Sequence, residues 1–326
     1  MNRRMLLGAL AASPFGARAQ TAKPPRRVAL SLGGVSNSAA GAIYLAAMKQ
    51  TLAARGWVEG RDIVYDVRYL NDPSIEQARE IARGVIAAGP DAVFANGTPG
   101  AFAFKLEART IPIIFANASD PLSSGLVQSL AHPGGNVTGF TNFEFPIAGK
   151  WLEFLTEIAP GVERVVVLMP AANPASDGFL RAIQSVAPRR KVMIEAARIR
   201  DMADYKTAIT ALPAGGKTGV VVLPFRIPAD TPEILVEQAR AKLIPVIYPQ
   251  KHFVEAGGLM SYASEPVSIY RQAATYLDRV LRGEKAADLP VQAPRKYDLK
   301  INLKTAREIG LVVPNTLLVF ADEVIE

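Results

Sequence analysis

At 326 residues, with 49% hydrophobic and 21% charged residues, the chain has the composition of a folded globular protein, long enough for one large or two medium domains. Its formal charge of +7 is dispersed, with no polybasic run or basic aromatic face, which argues against nucleic acid as a partner. The absence of cysteine excludes a disulfide framework, a thiol nucleophile and a lipid-anchored cysteine.

The first residues read as an export signal: Asn2-Arg3-Arg4, an apolar core from Met5 to Ala12, and Ala17-Arg18-Ala19 with small residues at the cleavage spacing. Cleavage is expected after Ala19, which removes three arginines and leaves a charge of +4. Arg3-Arg4 followed by Met5-Leu6-Leu7 also resembles a twin-arginine signal, so the Sec and twin-arginine routes both stay open. No later stretch has the roughly 18 to 20 apolar residues of a membrane span. The mature protein is expected to be exported, soluble, monomeric and not membrane-inserted.

Beyond the leader, Val28 to Leu32 predicts a short buried strand and the apolar spacing from Asn37 to Arg55 a helix closed by Gly56. The loop between them is not a G-x-G-x-x-G, although Ser36 and Asn37 stand where a ligand at a helix N-terminus would be met. Strands are then expected at Ile63 to Tyr69, Ala92 to Ala95 and Ile113 to Ala116, with helices from Pro73 to Ala88 and through Leu106. This alternation predicts a parallel, doubly wound sheet whose carboxyl ends carry small polar corners such as Thr98 and Ser119-Asp120. After Asp120-Pro121 a short helix is expected, stopped by Pro133-Gly134-Gly135, with the next strand from Val137.

From Glu144 the pattern restarts, with a helix to Ile158, strands at Val165 to Met169, Val192 to Ala196, Val220 to Leu223 and Val246 to Tyr248, and helices between them. Corners fall at Asn173 to Ser176, at Phe225-Arg226 and at Gln250. The segments Asp91 to Pro121 and Thr218 to Phe253 share one plan, each ending in I-P-hydrophobic, and a proline at the first residue of a strand removes no ladder bond. A strand from Leu259 to Tyr262, a long helix from Val267 to Leu281, a strand at Lys300 to Leu303 and a helix from Lys304 to Ile309 follow. The last 60 residues are too few for a third domain and are expected to cross back between two lobes.

The run D-P-x-x-x-G-L-V-x-S-L-A-x-P-G-G-N-V-T-G, carried by Asp120 to Gly139, resembles the signature of the ABC-transporter substrate-binding family that includes the tryptophan-binding proteins. Asn96-Gly97-Thr98-Pro99, Glu255 to Leu259, Leu281 to Pro290 and Ile301 to Ala306 extend the resemblance across Arg26 to Glu326. It implies an α/β protein of two doubly wound parallel-sheet lobes joined by a three-crossover hinge, as in type I periplasmic binding proteins. Crossovers near Thr141-Asn142, Ala263-Ser264 and Pro294-Arg295 would give an N-terminal lobe of 26–141 plus 264–294 and a C-terminal lobe of 142–263 plus 295–326. It further implies a periplasmic protein that closes on a small-molecule ligand and docks on an inner-membrane ABC permease, without a cofactor.

The candidate ligand-binding residues are Ser36, Asn37, Thr98, Ser119 and Asp120 on one side of the cleft, and Asn173, Ser176, Phe225, Arg226 and Gln250 on the other. Small polar groups and free N–H groups at helix starts suit a carboxylate. Several positions have a structural reading as well. Asp120 is an amine partner or an N-cap, Thr98 is divided in the same way, and Asn173-Pro174 also reads as a simple turn. Arg226 departs from the acidic residue that amino-acid-binding relatives tend to place in this corner, and suits a ligand carboxylate, with Phe225 packing on an apolar or ring portion. Without that role, Arg226 is a solvent-facing loop residue. His132 and His252 lack metal-ligand spacing, and no nucleophile elbow occurs, so neither a metal nor catalysis is expected. The function expected is solute binding for an ABC importer. A ligand sensor partnering a membrane signalling protein is the alternative, and an exported hydrolase or isomerase a further one.

Overall fold

The computed structural model describes residues 23–33, 39–70, 75–171, 173, 175–224 and 232–326. The first layer is laid down as β1 (Arg26–Gly33), α1 (Ala39–Ala54), β2 (Ile63–Leu70), α2 (Ile75–Ala87), β3 (Ala92–Asn96), α3 (Thr98–Glu107), β4 (Ile113–Ala118) and β5 (Val137–Thr141). Its sheet runs β2-β1-β3-β4-β5, parallel throughout. Period-two alternation explains why both faces are covered. On β3, Ala92 and Phe94 pack beneath Met48 and Leu52 of α1, while Val93 and Ala95 pack beneath Ala78 and Ala82 of α2 and Phe104 of α3. Each such buried large apolar side chain contributes about 1.5–3 kcal/mol relative to exposure.

The chain then enters a second layer through α4 (Pro146–Ile158), β6 (Arg164–Pro170), α5 (Ser176–Arg190), β7 (Met193–Ile199), α6 (Met202–Ala211), β8 (Thr218–Val222), α7 (Pro232–Ala241), β9 (Val246–Tyr248), α8 (Lys251–Glu255) and β10 (Met260–Ala263). It returns to the first sheet as α9 (Pro266–Leu281), whose Tyr270, Ala273 and Leu277 fill the same core as Phe94 and Ile114. It then finishes in the second layer as β11 (Asp298–Asn302), α10 (Leu303–Glu308), α11 (Asn315–Phe320) and β12 (Glu323–Ile325). The second sheet runs β12-β11-β10-β9-β8-β6-β7, and only its β10–β11 pairing is antiparallel. Trp151, Leu155 and Phe179 cover one face and Tyr205, Leu235 and Val236 the other. The α/β class with two mostly parallel sheets, read from the alternation, is the class observed.

The short helix expected after Asp120-Pro121 does not form. Residues 121–125 make a single turn that stops at Gly125, where φ is +69°, and the chain runs irregularly to β5. Leu126 and Val127, adjacent rather than helically spaced, both enter the core, so tertiary packing overrides the helix punctuation. The end of the same stretch is fixed by Gly139, at φ +154°, where a Cβ would lie 2.1 Å from the Phe115 carbonyl oxygen of β4. Only glycine lets the two strands approach. The five-residue α8 has no counterpart in the sequence reading.

Candidate functional site

In a parallel sheet the loops at the carboxyl ends share one edge. Here the chain leaves the carboxyl end of β5 at Thr141 and starts α4 at Pro146, and leaves the carboxyl end of β10 at Ala263 and starts α9 at Pro266. Links this short bring the carboxyl edges of the two sheets together, because each residue spans at most about 3.6 Å. The crossings also touch, through a hydrogen bond from Ser264 Oγ to the Asn142 carbonyl at 3.0 Å. The third link is anchored by Gln292, whose carbonyl accepts from Thr141 N at 2.9 Å and whose N–H donates to the Gly139 carbonyl at 3.0 Å. The corners between these edges are where an open α/β architecture binds ligands.

On the first sheet, Thr98 opens α3 and turns its hydroxyl onto the backbone of Ser119, accepting from Ser119 N at 3.0 Å and donating to Ser119 O at 3.3 Å. Ser119 is 5% exposed and donates from Oγ to Asn142 Oδ1 at 3.0 Å, which ties the β4 corner to the first crossing. Asp120, at φ +45°, accepts from Ser123 N at 3.1 Å, so one oxygen of its carboxylate caps the turn. Beside them, Asn96 Nδ2 donates to the Gly33 carbonyl at 2.5 Å, and Asn117 Nδ2 to Asn96 Oδ1 at 2.8 Å.

On the second sheet the corner beyond β6 closes on itself. Asn173 Oδ1 accepts from Ala175 N at 3.0 Å, and Ser176 Oγ donates to the Pro170 carbonyl at 2.8 Å. Gln250, half-buried ahead of α8, makes no side-chain hydrogen bond to a described residue. Ser36, Asn37, Phe225 and Arg226 lie outside the described residues. The structure thus brings Thr98, Ser119 and Asp120 into one corner. Asn173 and Ser176 form a second corner, with Gln250 at the end of β9.

The rim between the layers carries charge. Lys251 Nζ of α8 stands 4.0 Å from Glu265 Oε1, and Glu265 also caps α9 through bonds from Val267 N and Ser268 N. Tyr44 of α1, with its ring 5.5 Å from that of Tyr270, has its phenol pushed up first by burial and then by the charges of Glu265 and Glu255. Burial pulls the His252 imidazole below its ordinary value against the opposing charges of Glu255 and Glu233. A cavity of about 120 Å³ lined by Arg27, Tyr65, Asp66, Val85 and Pro90 lies at the amino edge of the first sheet, away from these corners.

Sequence reasoning missed Asn96, Asn117 and Asn142. Asn96 ends β3, Asn117 is the penultimate residue of β4 and Asn142 directly follows β5, so closeness to a strand end was the available signal, but their partners lie 21 or more residues away and only the folded register shows them.

Comparison with known proteins places this geometry. A curated tyrosine-binding protein of Clostridioides difficile (strain R20291) is 24% identical over 263 residues, 80% of this chain and 75% of that protein. Among solved structures, a conserved domain protein from Vibrio cholerae superposes with a TM-score of 0.83 at 25% identity, covering 92% of this chain and 100% of that one. The ABC domain from Streptococcus pneumoniae in complex with L-Trp gives 0.78 at 22% identity, with 92% and 100% covered. The ligand-free, open structure of a Clostridium difficile substrate binding protein with adhesive properties gives 0.69 at 22% identity, with 93% and 99% covered. Residues 35–325 match the family described as ABC transporter substrate binding protein, a family of binding proteins and not of enzymes, and the chain belongs to it.

Proposed function

We propose that this protein is the extracytoplasmic solute-binding component of an ABC importer and holds a small carboxylate, an amino acid or an aromatic acid, between the carboxyl edges of its two sheets. The observation that carries the reading is the meeting of those edges at three chain crossings, with polar corners on both sides, in a member of a substrate-binding family. The tyrosine and L-Trp named for two of the relatives support an amino-acid ligand. We assign the N-terminal lobe to 26–141 plus 264–294 and the C-terminal lobe to 142–263 plus 295–326, closing about the crossings when ligand binds. The closed form docks on an inner-membrane permease. Residues 1–19 act as the export signal and the mature monomer works in the periplasm; among the described residues no helix is long and apolar enough to cross a membrane.

Of the corner residues, Gln250 is proposed as a direct ligand contact, and Arg226 with Phe225 as the partners of the carboxylate and of the apolar portion. Thr98, Ser119, Asn173 and Ser176 shape the corners through the bonds described, and Ser36 and Asn37 are proposed as further ligand contacts. Thermal-shift screening against amino acids, aromatic acids and dicarboxylates tests the reading. A true ligand at one hundred times its Kd stabilises by about 2.7 kcal/mol. No shift across all three classes would reject the carboxylate assignment.

A further inference from the structure

The side-chain amides at the carboxyl edge of the first sheet have a fixed polarity. The Gly33 carbonyl can only accept, so Asn96, 6% exposed, must turn Nδ2 towards it. Its Oδ1 then faces Asn117, which must answer with Nδ2. Flipping either amide would set oxygen against oxygen or nitrogen against nitrogen. One backbone carbonyl on β1 therefore dictates, through β3, that the Asn117 side chain ends in an oxygen. No described residue donates to that oxygen, and Asn117 is half-buried at the corner in the left-handed region, at φ +55°.

Its neighbours have the same polarity. Asp120 has one oxygen on Ser123 N, and its other oxygen has no described partner. The Thr98 hydroxyl is engaged on both sides by Ser119, and the Ser119 hydroxyl donates to Asn142. The side chains of this wall thus offer lone pairs and a negative charge. A carboxylate placed against them would be repelled, whereas a protonated amine brings N–H donors and a positive charge.

We propose that Asn117 Oδ1 receives the ammonium group of the ligand at the β4 corner, with the Asp120 carboxylate supplying the balancing charge and Asn96 acting as the residue that orients Asn117. The inference rests on the small-carboxylate reading above and narrows it to ligands that carry an amine as well, with their carboxylate away from this wall.

The test uses the full mature chain. The common L-amino acids are screened by thermal shift, and the tightest is titrated by calorimetry beside its des-amino acid, with wild type and with Asn117→Gly. Glycine accepts the left-handed backbone without steric cost, so this variant keeps the corner while removing the amide. Loss of a hydrogen bond to a charged group weakens binding by about tenfold or more. Wild type is expected to prefer the amino acid by at least that factor. Asn117→Gly should lose most of the preference while holding the des-amino acid as before. Asn96→Leu, which removes the oxygen that accepts from Asn117 Nδ2 and so frees the Asn117 amide to turn, should lower the same amino to des-amino ratio, a readout that a general loss of stability does not move. Equal weakening of both ligands by Asn117→Gly, or an unchanged ratio, overturns the proposal. Wild type that binds the des-amino acid as tightly as the amino acid also overturns it, and leaves the carboxylate reading standing. Binding of neither class overturns both.

Discussion

The corner at the end of β4 and the corner at the end of β6 are built from the same kinds of residue and are wired differently. In the first, Asn117 reaches Asn96 across 21 residues, Asn96 reaches Gly33 across 63, and Ser119 reaches Asn142 across 23. In the second, Asn173 and Ser176 bond to chain only 2 and 6 residues away. A corner satisfied locally forms with its own turn. A corner satisfied across strands exists only once the sheet has its register, and through Asn142 and Ser264 it is joined to both of the first two crossings. If the two proposed lobes close about the crossings, the β4 corner would be coupled to that movement and the Asn173 and Ser176 bonds of the β6 corner would not.

The largest expected effect separates the halves by how each packs its strands. Gly139→Ala would put a methyl 2.1 Å from a backbone oxygen, which cannot yield, so a loss above about 4 kcal/mol or failure to fold is expected. Gly219→Ala in β8 meets only the Leu155 and Val162 side chains, at 3.0–3.3 Å, and should cost about 1–3 kcal/mol. Urea unfolding of both variants measures the difference.

Next in size is Arg226→Ala, expected to weaken the tightest carboxylate ligand by about tenfold or more through loss of a charge-assisted bond. Calorimetry showing unchanged affinity would remove Arg226 from the site. Smaller effects distinguish the two corners directly. Ser119→Ala and Ser176→Ala each remove one hydrogen bond and should each lower stability by about 1 kcal/mol. Only Ser119→Ala should also change the domain-closure equilibrium, read as a shift in interlobe distance with donor and acceptor dyes on the two lobes. Equal closure behaviour would show that the Asn142 link does not reach the hinge.

The smallest effect is a pH dependence on the α8 side. Because burial lowers the folded-state value of His252, the unfolded chain binds more protons below the ordinary imidazole value near 6.5, and stability should fall as the pH drops through it. His252→Gln should flatten the melting temperature between pH 7.5 and pH 5 by a fraction of the total slope.

Much of the fold was legible because apolar runs such as Val220 to Leu223 and helical spacing such as that of Val267 to Leu281 are local signals, and the Asp120 to Gly139 run pointed to the family. The same run misled about local structure. Its Pro and Gly residues mark where a helix would start and stop, but Gly125 ends the first turn and the core draws in both Leu126 and Val127. Helix α8 escaped because five residues show no period and Gln250 offers no side-chain cap. At the site, strand-end position nominated Thr98 and Ser119, while the bonds that engage their hydroxyls, and the polarity that reaches Asn117, depend on neighbours no local window contains.

Whether the cleft holds a small carboxylate is read from mass spectrometry of the small molecules released when the purified protein is denatured, with thermal shift by each candidate in turn. A single dominant compound carrying a carboxylate, and an amine beside it, is expected, and it should restabilise the emptied protein. Release of, and stabilisation by, a neutral sugar or polyol instead would contradict it.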